Sequence, residues 1–201
     1  MNQTLAGKRV AVLATDGFEQ SELEKPVEAL KRAGAEIQVV SLRAGSILGM
    51  EHADKGQNVD VDLVLSDARP EDFDALLLPG GLMNPDTLRS EPPAVRFVKA
   101  FASAGKPIAA ICHAPWILIE ADLVKGRTLT SWPAIKSDVK NAGGHWVDSE
   151  VVVDRGLVTS RSPDDIPAFN EKMIALFSGV DAGWSKSADG NGKPARPNGD
   201  A

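Results

Sequence analysis

The sequence predicts an α/β fold in which a mostly parallel sheet is covered by helices on both faces. Segments with strand and helix character alternate along the 201 residues, and this alternation is typical of βαβ units. The strand segments are largely continuous apolar runs, as in Asp74–Leu78 and Lys106–Ile111. Such runs indicate parallel strands that are buried on both faces.

The first unit begins with an apolar strand over Arg9–Thr15. A helix is predicted over Glu19–Ala33, because a valine and two leucines share one face of it and Gly34 provides a stop. Pro26 lies inside this segment, and we expect it to kink the helix or divide it in two.

A second strand, a hairpin-like excursion and a third strand follow. The second strand is Ala35–Leu42, and the excursion is formed by Ser46–Met50 and Gln57–Val64. The buried strand Asp74–Leu78 then ends at Pro79-Gly80-Gly81.

The centre of the chain predicts a helix, a buried strand and a second helix. Pro92–Ala104 forms the first helix and is closed by Gly105. The strand Lys106–Ile111 then turns sharply into the helix Pro115–Ala121.

The last third of the chain predicts shorter elements and a final helix. The short elements are a strand at Thr128–Ser131, a helix at Ala134–Asn141 and a strand pair near Val147–Val153 and Leu157–Ser160. The final helix starts with Ser162 as N-cap, Pro163 at the first helical position and Asp165 three residues after the cap. Its apolar stripe is core material.

Two segments differ in composition. Residues 1–180 predict a single domain, whereas residues 181–201 are rich in Gly, Pro, Ser, Asn and Asp and predict a flexible C-terminal tail. We expect the active site to lie within the domain.

Composition excludes several classes of function. The formal charge of −6 argues against a general nucleic-acid or anionic-membrane surface. One cysteine cannot form an internal disulfide, which fits a cytoplasmic location. No run approaches the roughly 20 apolar residues of a membrane span. The cysteine and three histidines lack metal-ligand spacing, and no nucleotide-binding glycine motif follows a strand, so neither metal nor cofactor is expected.

Cys112 is the strongest candidate for a catalytic residue. It lies at the turn between strand and helix, with Ala110 and Ala114 two residues away on either side. A small-x-nucleophile-x-small pattern suits a strained elbow, which exposes the nucleophile at the carboxyl edge of the sheet. The start of the helix there favours a thiolate. The alternative is a small apolar cysteine in the core.

Other candidates follow neighbouring strands and should meet Cys112 at the same edge. The backbone N–H of His113 and one from Gly80 or Gly81 could form an oxyanion hole. Glu19 could hydrogen-bond the thiolate or act as a general acid or base, although an acid is also common in a first helical turn. His113 is the candidate base, and its alternative is a polar residue at a helix start.

Several motifs resemble, in order from about Lys8 to Phe177, the PfpI family of intracellular proteases and general stress proteins. The motifs that carry the resemblance are Ala11–Glu19, Leu78–Gly81, Ala110–Pro115, Leu129–Pro133, Asn141–Gly143 and Val151–Asp154. This family belongs to the class I glutamine amidotransferase-like superfamily, together with the parkinsonism-associated protein deglycase.

The resemblance implies a flavodoxin-like three-layer α/β/α sandwich with a nucleophile elbow, active as a homo-dimer or higher homo-oligomer. It implies Cys112 as nucleophile, His113 beside it and Glu19 touching the sulfur. In members described as proteases, a further acid comes from a neighbouring subunit. The matching position here is Asp86, where relatives carry Glu; its alternative role is an acid at the start of a short helix.

Three hypotheses for function follow. The first is a cofactor-free enzyme that acts on reactive carbonyls, as a glyoxalase on small carbonyl compounds or as a deglycase on glycated proteins or nucleotides. The second is a cysteine peptidase or amidase that uses Cys112, His113 and an Asp86 from a partner subunit. The third is a stress sensor oxidised at Cys112. Only His145 lies downstream, without a His-x-Glu arrangement, so glutamine amidotransferase activity is discounted.

Overall fold

The computed structural model describes residues 4–179, and in them strands alternate with helices. The strands are β1 (Arg9–Leu13), β2 (Phe18–Glu19), β3 (Glu36–Ser41), β4 (Ser46–Glu51), β5 (Asp54–Asp60), β6 (Leu63–Val64), β7 (Ala75–Leu78), β8 (Ile108–Ile111), β9 (Thr128–Leu129), β10 (His145–Trp146), β11 (Val151–Asp154) and β12 (Leu157–Ser160). The helices are α1 (Gln20–Arg32), α2 (Met83–Arg89), α3 (Pro92–Ser103), α4 (Pro115–Glu120), α5 (Lys136–Asn141) and α6 (Ile166–Ser178).

Seven strands form the central sheet, in the order β11-β12-β8-β7-β1-β3-β6. All neighbours are parallel except β11, which runs antiparallel to β12. The predicted mostly parallel sheet is therefore confirmed. The strands β8, β7 and β1 lie side by side at its centre, so the loops after their carboxyl ends converge.

Alternation along each strand divides the core into two layers. In β1, Val10 and Val12 face one layer while Ala11 and Leu13 face the other, as the two-residue period of a strand requires. The first layer includes apolar residues of α1 and α6, and the second includes those of α3 and α4. Helices thus cover both faces, which confirms the predicted α/β/α sandwich.

Two predicted details of the N-terminal half differ from the structure. The expected division of the helix at Pro26 is wrong, because α1 runs as one helix from Gln20 to Arg32 with Pro26 buried inside it. The hairpin is present as antiparallel β4 and β5, but Leu63–Val64 leaves it and joins the central sheet beside β3. The register at Val40↔Leu63 shows that this segment completes the sheet edge.

The C-terminal elements also differ in detail. Of the predicted strand Val147–Val153, only β11 at Val151–Asp154 is extended in the sheet. Ser162 precedes a 3₁₀ turn at Pro163–Asp165, and its side chain makes no capping hydrogen bond. The Asp165 carboxylate, three residues after Ser162, accepts hydrogen bonds from the backbone and guanidinium of Arg161.

The two ends of the chain, residues 1–3 and 180–201, lie outside the described residues. They include the predicted tail, residues 181–201, so the domain boundary at residue 180 stays a prediction. Between residues 4 and 179, none of the helices is both long enough and apolar enough to span a bilayer.

Candidate active site

Cys112 occupies a sharp turn directly after β8. Its φ of 63° lies in the left-handed region, which costs a non-glycine residue roughly 1–2 kcal/mol. Two backbone hydrogen bonds hold this conformation: the Cys112 N–H donates to the Ser160 carbonyl at 3.0 Å, and the Cys112 carbonyl accepts from the Trp132 N–H at 2.9 Å. The predicted elbow is therefore present, and its side chain is 6% exposed.

The acid beside Cys112 is Glu22, in the first turn of α1. The Glu22 carboxyl and the Cys112 side chain pack together around Gly80, where an added Cβ would collide with both Glu22 Oε2 and Cys112 Cβ. Glu22 Oε2 also accepts a hydrogen bond from the Gly80 N–H at 3.1 Å. Glu22 is fully buried, and its Oε1 has no partner of regular hydrogen-bond geometry within residues 4–179. A carboxyl in this position is available for proton exchange with the sulfur.

Glu19 lies near Glu22 and Cys112. The acid packed beside the Cys112 side chain is Glu22, however, and not Glu19 as expected. The Glu19 carboxylate accepts a hydrogen bond from the backbone N–H of His52, at 3.0 Å, in the β4–β5 turn. Its charge contributes to the raised pKa of Glu22. The expectation that Glu19 touches the sulfur is corrected accordingly.

The signal for Glu22 was present in the sequence. Glu22, Pro26 and Leu30 are spaced by four residues and lie on the buried side of α1, as helical periodicity requires. A carboxylate on such a face has to be paired or protonated, so its position on the helix alone marks it as exceptional.

Burial controls the charge state of the Glu22–Cys112 pair. It raises the pKa of Glu22 to about 8, an effect that the hydrogen bond with Cys112 opposes and the Glu19 carboxylate reinforces. Burial and the neighbouring Glu22 carboxylate also raise the pKa of the Cys112 thiol. The two groups titrate as a coupled pair, so protonating Glu22 removes the like charge that opposes a thiolate.

The thiolate that we expected from the helix start alone is therefore not supported. The helix α4 has only six residues, and the burial of Cys112 outweighs the dipole of so short a helix. The sulfur loses its proton readily only where a neighbouring base, the Glu22 carboxylate or the neutral His113 imidazole, takes that proton.

His113 is the second side chain at the sulfur. Its Nδ1 lies 3.2 Å from Cys112 Sγ. Burial lowers the pKa of His113, so the imidazole is favoured in its neutral form, in which it can accept or donate one proton. The side chains of Cys112 and His113 are therefore in contact, and the two residues are not only adjacent in sequence.

The Pro-Gly-Gly turn after β7 brings backbone donors to the pair. The N–H groups of Gly81 and His113 favour the thiolate and oppose the rise in the pKa of Cys112, while the N–H of Gly80 donates to Glu22 Oε2. A Cβ on Gly80 would lie 2.6 Å from Cys112 Cβ and 2.7 Å from the Ile111 carbonyl oxygen. Only glycine fits there. The predicted oxyanion donors from this turn and from His113 are therefore grouped at the sulfur.

Asn84 secures this turn, and the sequence analysis missed it. Its fully buried amide donates to the carbonyls of Pro79 and Gly80 at 2.9 and 3.1 Å, and its Oδ1 accepts from the Thr15 N–H at 2.8 Å. The amide thus ties the end of β1 to the turn after β7. Asn84 lies in the first turn of α2, and an asparagine before a proline is so common at turns that its sequence position carries no signal for this role.

Asp86 lies on α2 and does not reach the sulfur within the described chain. It is exposed and accepts two hydrogen bonds from the Arg89 guanidinium, at 2.8 and 3.0 Å. This pairing agrees with its alternative role as an ordinary first-turn acid. The expected action of Asp86 across a subunit interface stays a prediction.

The remaining histidines are not part of the pair. His52 is at the tip of the β4–β5 turn, with a φ of 57°, and His145 is an exposed residue of β10. Among residues 4–179, no three His, Cys, Asp or Glu side chains are grouped so as to hold a metal ion.

Comparisons with known proteins find a matching family model and close relatives in sequence. The model of the DJ-1/PfpI family matches residues 8–176. The chain is 46% identical over 172 residues to protein/nucleic acid deglycase 2 of Escherichia coli (strain K12), covering 85% of this chain and 98% of that protein. It is 44% identical over 170 residues to the Bacillus subtilis (strain 168) protein named "Putative cysteine protease YraA", with the same coverage.

A solved structure gives the same fold. Drosophila melanogaster DJ-1beta superposes with a TM-score of 0.78 at 29% identity, covering 86% of this chain and 91% of that chain. The region that the family model matches, residues 8–176, includes every residue placed at the candidate site.

Proposed function

The chain belongs to the DJ-1/PfpI family, and on that premise we propose that it is a cysteine-dependent enzyme acting on reactive carbonyl compounds. The observation that carries the proposal is the packing of the Cys112 side chain at the elbow against the Glu22 carboxyl, the Pro-Gly-Gly turn and the His113 imidazole. Such a site can form a covalent bond to a carbonyl carbon, move the thiol proton and bind the resulting oxygen. The likeness to a deglycase over almost its whole length also supports it.

The proposed reaction begins with addition of the sulfur to an aldehyde. In the fraction of molecules in which Glu22 is ionised, about a tenth at pH 7 for a pKa of about 8, Glu22 takes the thiol proton while the Cys112 sulfur bonds to the carbonyl carbon. That proton then passes to the carbonyl oxygen to give a hemithioacetal. The Gly81 and His113 N–H groups are the donors available to that oxygen. A carboxyl whose pKa is raised to about 8 is well matched to proton transfer near neutral pH.

With methylglyoxal, a second proton transfer completes the chemistry. The hydrogen on the sulfur-bearing carbon leaves as a proton and is replaced by a proton at the adjacent ketone carbon, which yields a thioester of lactate. Water then cleaves the carbon–sulfur bond and releases lactate and the thiol. One water is consumed overall, and no external oxidant or reductant is required.

The physiological substrates that we propose are small dicarbonyls and the early adducts they form on proteins or nucleotides. Both present the same electrophilic carbon to the sulfur. We propose a cytoplasmic location and a homo-oligomeric state on the family resemblance, and a role in stress protection follows from the chemistry of these substrates.

Lactate production from methylglyoxal without glutathione tests the proposal. We expect wild type to produce lactate, and we expect Cys112→Ser to lose roughly a thousandfold or more of that rate, as when other enzymes lose a nucleophile. Ser131→Ala is the matched control, because Ser131 is buried nearby and its hydroxyl binds Trp146 rather than the sulfur. Equal rates for wild type and Cys112→Ser would contradict the proposal.

A cysteine peptidase is the second candidate, and the contact of 3.2 Å between Cys112 Sγ and His113 Nδ1 favours it. A complete triad would require Asp86 of a partner subunit. We expect a peptidase to lose cleavage of a peptide panel in both Asp86→Ala and Cys112→Ser. Mixed oligomers of the two variants would regain part of it, because one interface would combine an intact Cys112 with an intact Asp86. Absence of cleavage by wild type would exclude this candidate.

A further inference from the structure

His113 lies between two indole rings. The Trp116 ring centre is 5.1 Å from the imidazole centre with planes inclined at 55°, and the Trp132 ring centre is 5.8 Å away at 26°. Aromatic pairs at these separations restrict one another's orientation. The position of Nδ1 beside the Cys112 sulfur therefore depends on where both indoles are held.

The two indoles are held in different ways. The Trp132 backbone N–H donates to the Cys112 carbonyl at 2.9 Å, so the elbow itself positions that residue. The Trp116 indole Nε1–H donates to the Asp138 carboxylate at 2.8 Å. Asp138 lies on α5, a separate element, and this charge-assisted hydrogen bond fixes the orientation of Trp116 about its side-chain torsions.

A second charged group lies on the Trp116 ring. The Arg89 guanidinium is 4.6 Å from the ring centre, a cation–π distance, and Arg89 is in turn bound by Asp86. The indole is thus held at its edge by Asp138 and over its face by Arg89. Its remaining neighbour in this cluster is His113.

We propose that Asp138 is a positioning residue, which holds Trp116 against His113 and so keeps the imidazole beside the Cys112 thiol. Asp138 touches neither the sulfur nor the imidazole in this arrangement and acts through the indole. Because Asp138 is exposed, replacing it leaves no cavity in the core. The inference rests on the contact between the His113 imidazole and the Cys112 sulfur, from which the peptidase candidate is argued.

Imidazole NMR spectra test the positioning directly. The chain has three histidines, so the His113 signals are assigned by comparison with His113→Gln. We expect Asp138→Ala to shift the His113 ring protons, whose chemical shifts depend on the ring currents of both indoles, and to leave those of His52 and His145 in place. Asp138→Asn keeps an acceptor for the indole N–H and should restore the wild-type shifts. Unchanged His113 signals in Asp138→Ala would overturn the proposal.

Alkylation of Cys112 by iodoacetamide tests the consequence. The reaction forms a sulfur–carbon bond and releases iodide, and the only cysteine in the chain makes the mass increase unambiguous. We expect Asp138→Ala to lower the rate roughly threefold to tenfold, the effect of a moderately misplaced group. Asp138→Asn and the exposed control Asp67→Ala should keep the wild-type rate. All three variants should keep the wild-type Tm.

The outcomes separate this inference from the proposed function. If Asp138→Ala moves the His113 signals and slows alkylation while wild type makes no lactate, the carbonyl activity fails and the positioning role stands. If His113→Gln alkylates at the wild-type rate, His113 has no role at the sulfur and the positioning proposal is overturned with it. A slower rate in Asp138→Ala that Asp138→Asn does not restore would also overturn it.

Discussion

A buried carboxyl beside a buried thiol is the chemical centre of this molecule. Each group alone would resist ionisation, because burial disfavours its charged form. Together, Glu22 and Cys112 can exchange a single proton, and the reactive form is the one in which Glu22 holds it. The chemistry depends on this coupling rather than on a thiol that is acidic by itself.

The raised pKa of Glu22 predicts a particular dependence of stability on pH. Between the usual Glu pKa of 4.5 and the folded-state value of about 8, the folded protein holds a proton that the unfolded chain has lost. The free energy of unfolding therefore falls as pH rises through this window. Glu22→Gln cannot ionise, so its stability relative to wild type should increase across the window by at most about 5 kcal/mol.

Urea unfolding at a series of pH values measures this difference. Glu28→Gln is the control, since Glu28 lies on the same helix, is exposed and pairs with Arg32. It should parallel the wild-type curve. A constant difference between Glu22→Gln and wild type from pH 4.5 to pH 8 would show that Glu22 is already charged in the folded state.

At the residue scale, the sequence predicted the nucleophile but not its acid partner. Cys112 is the only cysteine and follows a buried strand, so its pattern is local. Glu22 was missed because Glu19 lies nearer to the preceding strand, and the choice between them depends on which side of α1 faces the sheet. The Asn84 bridge depends on three segments meeting in space, which no local pattern specifies.

At the scale of elements, the turn after β7 and the elbow after β8 form one close-packed unit. The absence of a side chain on Gly80 allows Glu22, Ile111 and Cys112 to approach each other. We expect Gly80→Ala to destabilise the fold by about 1–3 kcal/mol, as overpacking does elsewhere, and to reduce Cys112-dependent activity because the Glu22 carboxyl has to move.

Gly126→Ala is the matched control for this variant. Gly126 has a φ of 69° and open space around a Cβ, so its substitution costs only the left-handed conformation, about 1 kcal/mol. Urea unfolding and the lactate assay together check the pair. If Gly80→Ala were as active as Gly126→Ala, the close packing at Gly80 would not matter for the site.

The order and type of most elements were predictable because hydrophobic patterning is local. The exceptions have identifiable causes. Pro26 does not interrupt α1, since tertiary packing that buries it overrides its low helix propensity. The sequence predicts Leu63–Val64 as part of the hairpin, because a pair of apolar residues does not reveal which strand it will pair with.

At the scale of the whole molecule, the helices that cover the two core layers all lie within residues 4–179. The final helix α6 contributes Phe169, Met173 and Phe177 to one layer and ends before Gly179, which is in the left-handed conformation. We therefore expect removal of residues 181–201 to leave Tm and Cys112-dependent activity unchanged. Removal from residue 173 onward should unfold the domain, because it takes two of these three side chains from the core.

Differential scanning calorimetry and the lactate assay check the shorter variant. A loss of several degrees in Tm on removing residues 181–201 would show that the segment is part of the folded domain, contrary to the predicted boundary at residue 180. The composition of the segment carried that prediction, and the family match ends at residue 176.

Native mass spectrometry of the intact Glu22→Gln protein, rapidly mixed with methylglyoxal, tests the central claim most directly. The proposed mechanism predicts that an adduct of one methylglyoxal on Cys112 forms in Glu22→Gln much more slowly than wild type forms lactate, because the carboxyl that takes the thiol proton is missing. The double variant Glu22→Gln, Cys112→Ser should lack this adduct. Any mass increase that remains in the double variant measures adducts on other side chains. Lactate formation at the wild-type rate by Glu22→Gln, with no adduct on Cys112 in either protein, would contradict it.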